Sequence, residues 1–313
     1  MLGASLFPGG GRADGDGKET VTEDAAAKGN AAASVLARSV ENWGDDDARS
    51  VIPMEASATG YPPRTMTLSV RVVGVGDAFT ARYYNACLLV ESADTRLLID
   101  APPALARALR DLGDRGGPVI GLDDVDHVLI THLHGDHMGG LEQFLFWRRF
   151  VTGRRATLHA IPEVLAGLWD ARLRGGMEVL MDADGARHPL TLADYAEVLP
   201  MPAAGEEFRV GALTLAWRPT VHHIPTSALR IRAGAATFGY SADTAFDPSL
   251  IAWLASADLL LHETNHGTHT PLDRLVGLDD SVRERMKLIH YPDDHDVAGS
   301  PIRCACEGDR YDL

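Results

Sequence analysis

The sequence predicts an α/β protein in which helices cover a sheet, and three observations carry that prediction. From Met66 onward, strand-like apolar runs alternate with helix-like segments. These runs are bounded by glycine, proline and short polar turns. A cluster of histidines and an aspartate follows directly on the end of one strand-like run, where α/β proteins tend to place their chemistry.

Residues 1–65 stand apart. They open on a Gly-rich, charged stretch at 8–17 and close on Tyr61-Pro62-Pro63, a composition that buries little. They are read as a disordered N-terminal extension, with one candidate helix at 25–43, ahead of a domain spanning 66–313. Residues 68–75 and 86–90 are β-rich, and a polar turn at Ser92-Ala93-Asp94 leads into a strand at 97–100. Pro102 and Pro103 introduce a helix at 105–112, with Gly113 placed to stop it. A strand at 125–130 precedes the His-rich cluster. Farther on, 161–174 reads as helix, 210–217 and 228–231 as strands, and 238–241 as a short strand. The last elements are a helix at 250–255, a buried strand at 259–261 and an apolar strand over 286–290, ending in His290.

At 313 residues, 45% of them hydrophobic, the chain can bury a substantial core. No run approaches the roughly 18 apolar residues that cross a bilayer, so a soluble protein without a membrane partner is expected. The formal net charge of −15 repels a phosphate backbone and disfavours nucleic acid as a partner. Cys87, Cys304 and Cys306 are too few for a four-thiolate zinc site and odd in number for a disulfide framework. The opening residues lack the pattern of a secretory signal, which makes the reducing cytoplasm the expected compartment. A homodimer is allowed.

The chemistry is concentrated in Thr131-His132-Leu133-His134-Gly135-Asp136-His137-Met138-Gly139-Gly140. On extended backbone His132 and His134 point the same way and can reach one ion. Gly135 is expected to let the chain turn, so that Asp136 and His137 face the same cavity. A cation gathers such polar groups at a gain, whereas without one they crowd each other for none.

This motif resembles the signature of the metallo-β-lactamase superfamily, from about Met66 to the C-terminus. The resemblance implies a four-layer αβ/βα sandwich with a dinuclear metal site between its sheets, and three further ligands in order. His222 lies in Thr220-Val221-His222-His223-Ile224-Pro225, followed by a strand that ends in Arg230-Ile231. Strand register favours His222 over His223, which is kept as a substrate contact. Asp243 lies in Phe238-Gly239-Tyr240-Ser241-Ala242-Asp243-Thr244 and matches the bridging aspartate, and His290 ends the run from Met286. By this resemblance His132, His134 and His222 hold one ion, Asp136, His137 and His290 hold the other, and Asp243 bridges. Nitrogen and oxygen donors suit zinc, with manganese or iron as alternatives. An aspartate stands where the best-known β-lactamases carry cysteine, which points to the hydrolase and phosphodiesterase branches.

The expected nucleophile is a hydroxide shared by two ions. Asp136 orients it, and His269 in Gly267-Thr268-His269-Thr270 is similar to the histidine that protonates the leaving group in ribonuclease Z relatives. His262 and Glu263 are read as a buttress. The expected function is hydrolysis of a phosphodiester or ester-like bond in a small substrate. A transfer RNA 3′-processing endonuclease is one alternative, although only the arginines at 148–149 and 154–155 offer a basic patch. A non-hydrolytic di-iron redox or sensor protein is the alternative from another class.

Overall fold

A computed structural model of the chain describes residues 67–313, apart from Gly116 and Pro118. The expected N-terminal extension and its candidate helix lie outside the described residues.

Strands β1 (Ser69–Gly74), β2 (Cys87–Ser92) and β3 (Thr95–Ile99) form an antiparallel meander, to which β4 (His127–Leu129) and β5 (Ala156–Ala160) add in parallel. A small hairpin, β6 (Val179–Met181) with β7 (Arg187–Pro189), precedes β8 (Ala196–Pro200), which closes one edge beside β5. The second sheet starts from β9 (Phe208–Val210), β10 (Leu213–Pro219), β11 (Ser227–Ala233) and β12 (Ala236–Tyr240), all antiparallel. Parallel β13 (Leu259–Glu263) and β14 (Met286–Ile289) complete it, and β15 (Arg310–Asp312) returns to pair with β1.

The patterns of burial explain these pairings. β13 is buried on both faces and reads as a continuous apolar run, as a parallel interior strand should. β10 alternates buried and half-buried residues, the period-two pattern of an antiparallel strand with one face on the core. The helix Leu105–Asp114 buries Leu105, Ala108, Leu109 and Leu112, spaced to form one stripe. Residues of both sheets join one continuous apolar core.

Three expectations about elements change. The strand expected over 210–217 is a hairpin, β9 to β10, because Gly211 turns the chain at φ +54°. A Cβ there would lie 2.1 Å from Thr95 Oγ1, the atom that accepts the next amide, from Ala212. Gly113 does not stop its helix but lies inside it, where a Cβ would meet Val119 Cγ2 at 2.5 Å. The helix expected over 161–174 is Pro162–Leu168, a π-turn at Trp169–Leu173 and a further turn, Arg174–Met177.

The helix Leu141–Phe150 follows the His cluster and packs through its aromatic residues: Phe144 is fully buried and Phe146 meets Tyr195 edge-on. Arg148 and Arg149 of this helix, and Arg155 beyond it, are engaged within the chain. Arg148 is buried against Asp126 at 2.5 Å and the Asp123 carbonyl at 2.9 Å, while Arg149 and Arg155 bond the carbonyls of Asp194 and Ala193. No helix among the described residues is long and apolar enough to cross a membrane.

Candidate metal centre

The loops that leave the C-terminal ends of β4, β10, β12 and β14 carry, in turn, His132, His134, Asp136 and His137; His222; Asp243; and His290. The structure brings all seven together. Donor atoms of His132, His134, His222 and Asp243 lie within 4.8 Å of one another, as do those of Asp136, His137 and His290, and Asp243 also groups with His269 and His290. The Ser227 amide donates to the Thr131 carbonyl at 3.2 Å and ties the two sheets at this point.

The turn after His134 is made differently from the sequence expectation. Gly135 has no positive φ and opens a short helix, Gly135–Met138, whose flanking His134 is extended at φ −70° and ψ 150°. Close approach is instead required at Gly140, where a Cβ would stand 2.1 Å from the Pro102 carbonyl. That contact and the bonds Gly140 N to Ala101 O and Ala101 N to His137 O hold the helix on the segment after β3. His222 and His223 lie in a bend, not on a strand. The side chain of His222 is fully buried in the cluster, whereas His223 is exposed with its ring 4.6 Å from that of His134.

The carboxylate of Asp243 divides between the two halves. Its Oδ2 faces His132 Nε2 at 3.6 Å and His222 Nε2 at 4.0 Å, and its Oδ1 faces His137 Nε2 at 3.2 Å and His290 Nε2 at 3.6 Å. In the first half, His132 Nε2 and His222 Nε2 stand 3.0 Å and 3.3 Å from His134 Nδ1. Burial pushes these imidazoles toward neutrality, His132 strongly and His222 to about 4, leaving lone pairs that converge. In the second half, Asp136 Oδ2 stands 3.3 Å from both His137 Nε2 and His290 Nε2. Burial opposes charge on His290, but Asp243, Asp136 and Glu263 prevail and hold it up to about 10. His137 is likewise raised against its burial by Asp243 and Asp100.

These residues fit a divalent cation pair. His137 Nε2 and Asp243 Oδ1 are buried without a hydrogen-bond partner, although 3.2 Å apart, because their geometry is not that of a hydrogen bond. Such orphaned groups cost about 1–3 kcal/mol each unless something else satisfies them. An ion that accepts a lone pair from each does so, and its charge replaces the protons that otherwise balance the carboxylates.

Asp100, which the sequence reading placed only in a strand, holds the histidines. Its Oδ2 accepts from His137 Nδ1 at 2.8 Å and from the Thr131 hydroxyl at 2.9 Å. Since that hydroxyl gives its single proton to the carboxylate, His132 Nδ1, 3.0 Å away, donates to it and turns Nε2 toward the centre. One fully buried carboxylate thus sets two tautomers, the outer support that metal-bound imidazoles require. Asp100→Asn is expected to weaken metal affinity about 10- to 100-fold. Competition with a chromophoric chelator measures this, and unchanged affinity would remove Asp100 from the supporting shell. Asp100, Ala242 and His290 all have positive φ, of +65°, +49° and +54°, so the backbone is strained at three points around the centre.

His269 is partly exposed between the halves, its ring 5.6 Å from that of His222 and 5.3 Å from that of His290. Its Nδ1 donates to Glu263 Oε2 at 2.8 Å, while Glu263 Oε1 accepts the amide of Thr244. Glu263 therefore buttresses the centre. His262 does not: its Nδ1 donates to the Glu263 carbonyl at 2.7 Å and it belongs to none of the donor groups. His127 and His159 pair with each other, His188 with Asp182 and His295 with Cys304, all outside those groups.

Comparison with known proteins agrees with this architecture. A sequence profile for the family described as "Anti-Pycsar protein Apyc1" matches residues 68–300. A protein of that name from Saccharibacillus brassicae is 34% identical over 239 residues, covering 72% of this chain and 90% of the relative. Another, from Bacillus phage 010DV004, is 33% identical over 263 residues and is covered over 99% of its length. The metallo-β-lactamase fold protein YhfI from Bacillus subtilis superposes with a TM-score of 0.63 at 19% identity, over 79% of this chain and 100% of that one. The predicted fold is thereby borne out, and the chain belongs to the Anti-Pycsar protein Apyc1 family and is a metal-dependent hydrolase of the metallo-β-lactamase fold.

Proposed function

We propose that residues 66–313 form a dinuclear phosphodiesterase that opens a small cyclic nucleotide. His132, His134 and His222 would hold one ion, Asp136, His137 and His290 the other, with Asp243 between them. The observation that carries this reading is the division of the two Asp243 oxygens between two histidine sets. A donor set of nitrogen and oxygen alone, with three imidazoles kept neutral, favours zinc. Bound there, the ions supply Lewis acidity and make water a competent nucleophile at neutral pH.

The chain's own groups do the rest. Attack of water on phosphorus breaks one ester bond of the ring, and the departing ribose oxygen leaves as an alcohol only if a proton reaches it. His269 is poised for that transfer: burial opposes its charge, but Glu263 raises its pKa above the ordinary value, so it keeps its proton to higher pH than a free imidazole does. Asp136 is held well below the usual carboxylate range by His137 and His290 despite its burial, and so accepts hydrogen bonds from water or metal without competing for protons.

A small substrate agrees with the net charge of −15 and with the engagement of Arg148, Arg149 and Arg155, three of the four arginines of the candidate basic patch, by groups of the chain itself. The relatives' name sets them against Pycsar, and a cyclic nucleotide is a phosphodiester of the required size. Cys87, Cys304 and Cys306 are all free, as the cytoplasm would keep them. The test is metal quantification beside hydrolysis of 3′,5′-cyclic nucleotides. Two ions per chain, and turnover lost to a chelator and restored by zinc, are expected. Full turnover with one ion or none, or no opening of any cyclic nucleotide by metal-replete protein, would overturn the reading.

A further inference from the structure

We propose that Phe79 is a stacking platform for the aromatic base of the substrate at the mouth of the metal centre; the inference rests on the phosphodiesterase reading above. Phe79 is 92% exposed, more than any other large apolar side chain among the described residues. Isolated apolar residues on a surface need no explanation. Phe79 differs because the loop that presents it is held stiff and anchored to the site.

The stiffness comes from a network around the loop between β1 and β2. Asp77 Oδ1 accepts the Phe79 amide at 3.0 Å, and the Asp77 carbonyl accepts Asn85 Nδ2 at 2.6 Å. Asp293 accepts both the Thr80 hydroxyl, at 2.5 Å, and the Ala81 amide, at 2.8 Å. Thr80 packs so closely on Gly76 that a Cβ there would stand 2.5 Å from Thr80 Cγ2. The backbone that carries the ring is therefore bonded on both sides of it.

The anchorage is to the side of the centre where His290 and His269 lie, their rings 5.3 Å apart. Gly76 pairs with Tyr291, the neighbour of His290. Asp77 Oδ2 accepts Asn265 Nδ2 at 3.0 Å, and the Asn265 amide bonds the carbonyl of Thr270, the neighbour of His269. Two residues of chain reach at most about 7 Å, so Phe79 lies beside this loop pair. A base attached to a ribose phosphate seated at the centre would find there a flat, water-exposed apolar face. Stacking on one face recognises aromaticity without reading base edges, so the platform sets affinity for nucleotides as a class more than for one base.

The experiment compares Phe79→Ala, Phe79→Leu and Phe79→Trp in the zinc-loaded enzyme, on a 3′,5′-cyclic nucleotide and on methyl riboside 3′,5′-cyclic phosphate, which lacks a base. Phe79→Ala is expected to raise KM for the nucleotide roughly tenfold with kcat little changed. The base-free substrate should show no change, leucine should not rescue and tryptophan should. Calorimetric affinity for the nucleoside 5′-monophosphate should fall by the same factor. Because the side chain is exposed, the variants should keep the melting temperature. Equal effects on both substrates, no effect on either, or a shift of oligomeric state that accounts for the loss of affinity would overturn the platform. Wild-type enzyme that opens neither ring would sink the phosphodiesterase reading and the platform with it, whereas wild-type turnover without a Phe79 effect would sink the platform alone.

Discussion

Asp243→Ala is expected to leave one metal ion or none per chain and to slow turnover by roughly a thousandfold or more, since Lewis-acid stabilisation is worth several kcal/mol and each 1.4 kcal/mol is tenfold in rate. The residue is 2% exposed, and each of its oxygens faces a different histidine set, so no neighbour can replace it at both positions. Burial favours its neutral form, but His290 and His137 hold its pKa well below the ordinary value, so it offers a full negative charge to whatever cation arrives. Asp243→Asn separates charge from shape: it keeps the volume and one carbonyl oxygen, and should retain the fold while losing the second ion. The same variants should lose the rise in melting temperature that zinc gives the wild type, because a ligand stabilises only a state that binds it. Two ions retained at an unaltered rate in Asp243→Ala would take Asp243 out of the centre.

How much of this centre could be read from the sequence follows from how local each signal is. His132, His134, Asp136 and His137 lie within six residues, so their convergence needs only one strand end and one turn. His222, Asp243 and His290 each stand alone in their segments and were recognisable only through their order along the chain. The argument that chose His222 over His223 supposed strand alternation, yet both lie in a bend that buries the side chain of one and exposes the other. Asp100 gave no signal at all. An acidic residue closing an apolar strand is ordinary, and its partner His137 lies 37 residues away. Gly211 was missed for a related reason: flanked by apolar residues it reads as strand interior, and only contact with Thr95 shows why the chain must turn there.

The strand ends explain why such distant residues meet. The two sheets direct the C-terminal ends of β3, β4, β12 and β14 to one place, and the backbone that leaves β3, β12 and β14 is strained at Asp100, Ala242 and His290. Positive φ at non-glycine residues costs roughly 1–3 kcal/mol each and persists only where surrounding contacts enforce it. Here those contacts are the hydrogen bonds of Asp100 to Thr131 and His137, together with the packing of β13 beside β12 and β14. The fold supplies rigid positions, and the loops supply donors that are unsatisfied until a cation binds.

His269→Ala is expected to slow opening of a 3′,5′-cyclic nucleotide by about 10²- to 10⁴-fold, the usual contribution of a positioned acid. The loss should be much smaller on bis-p-nitrophenyl phosphate, whose leaving group departs as a stable anion and needs no proton. pH adds a second readout. His269 must be protonated to act, and Glu263 raises its pKa, so kcat should fall as pH rises through that elevated value and hold below it. Glu263→Gln keeps the bond to the Thr244 amide through its carbonyl oxygen but offers His269 a neutral partner. Assayed with saturating metal, because Glu263 also lies 3.6 Å from His290 Nδ1, that variant should show the falling limb moved to lower pH. If His269→Ala slows both substrates alike, or if the limb stays in place in Glu263→Gln, the proton comes from elsewhere and His269 serves only to shape the cleft.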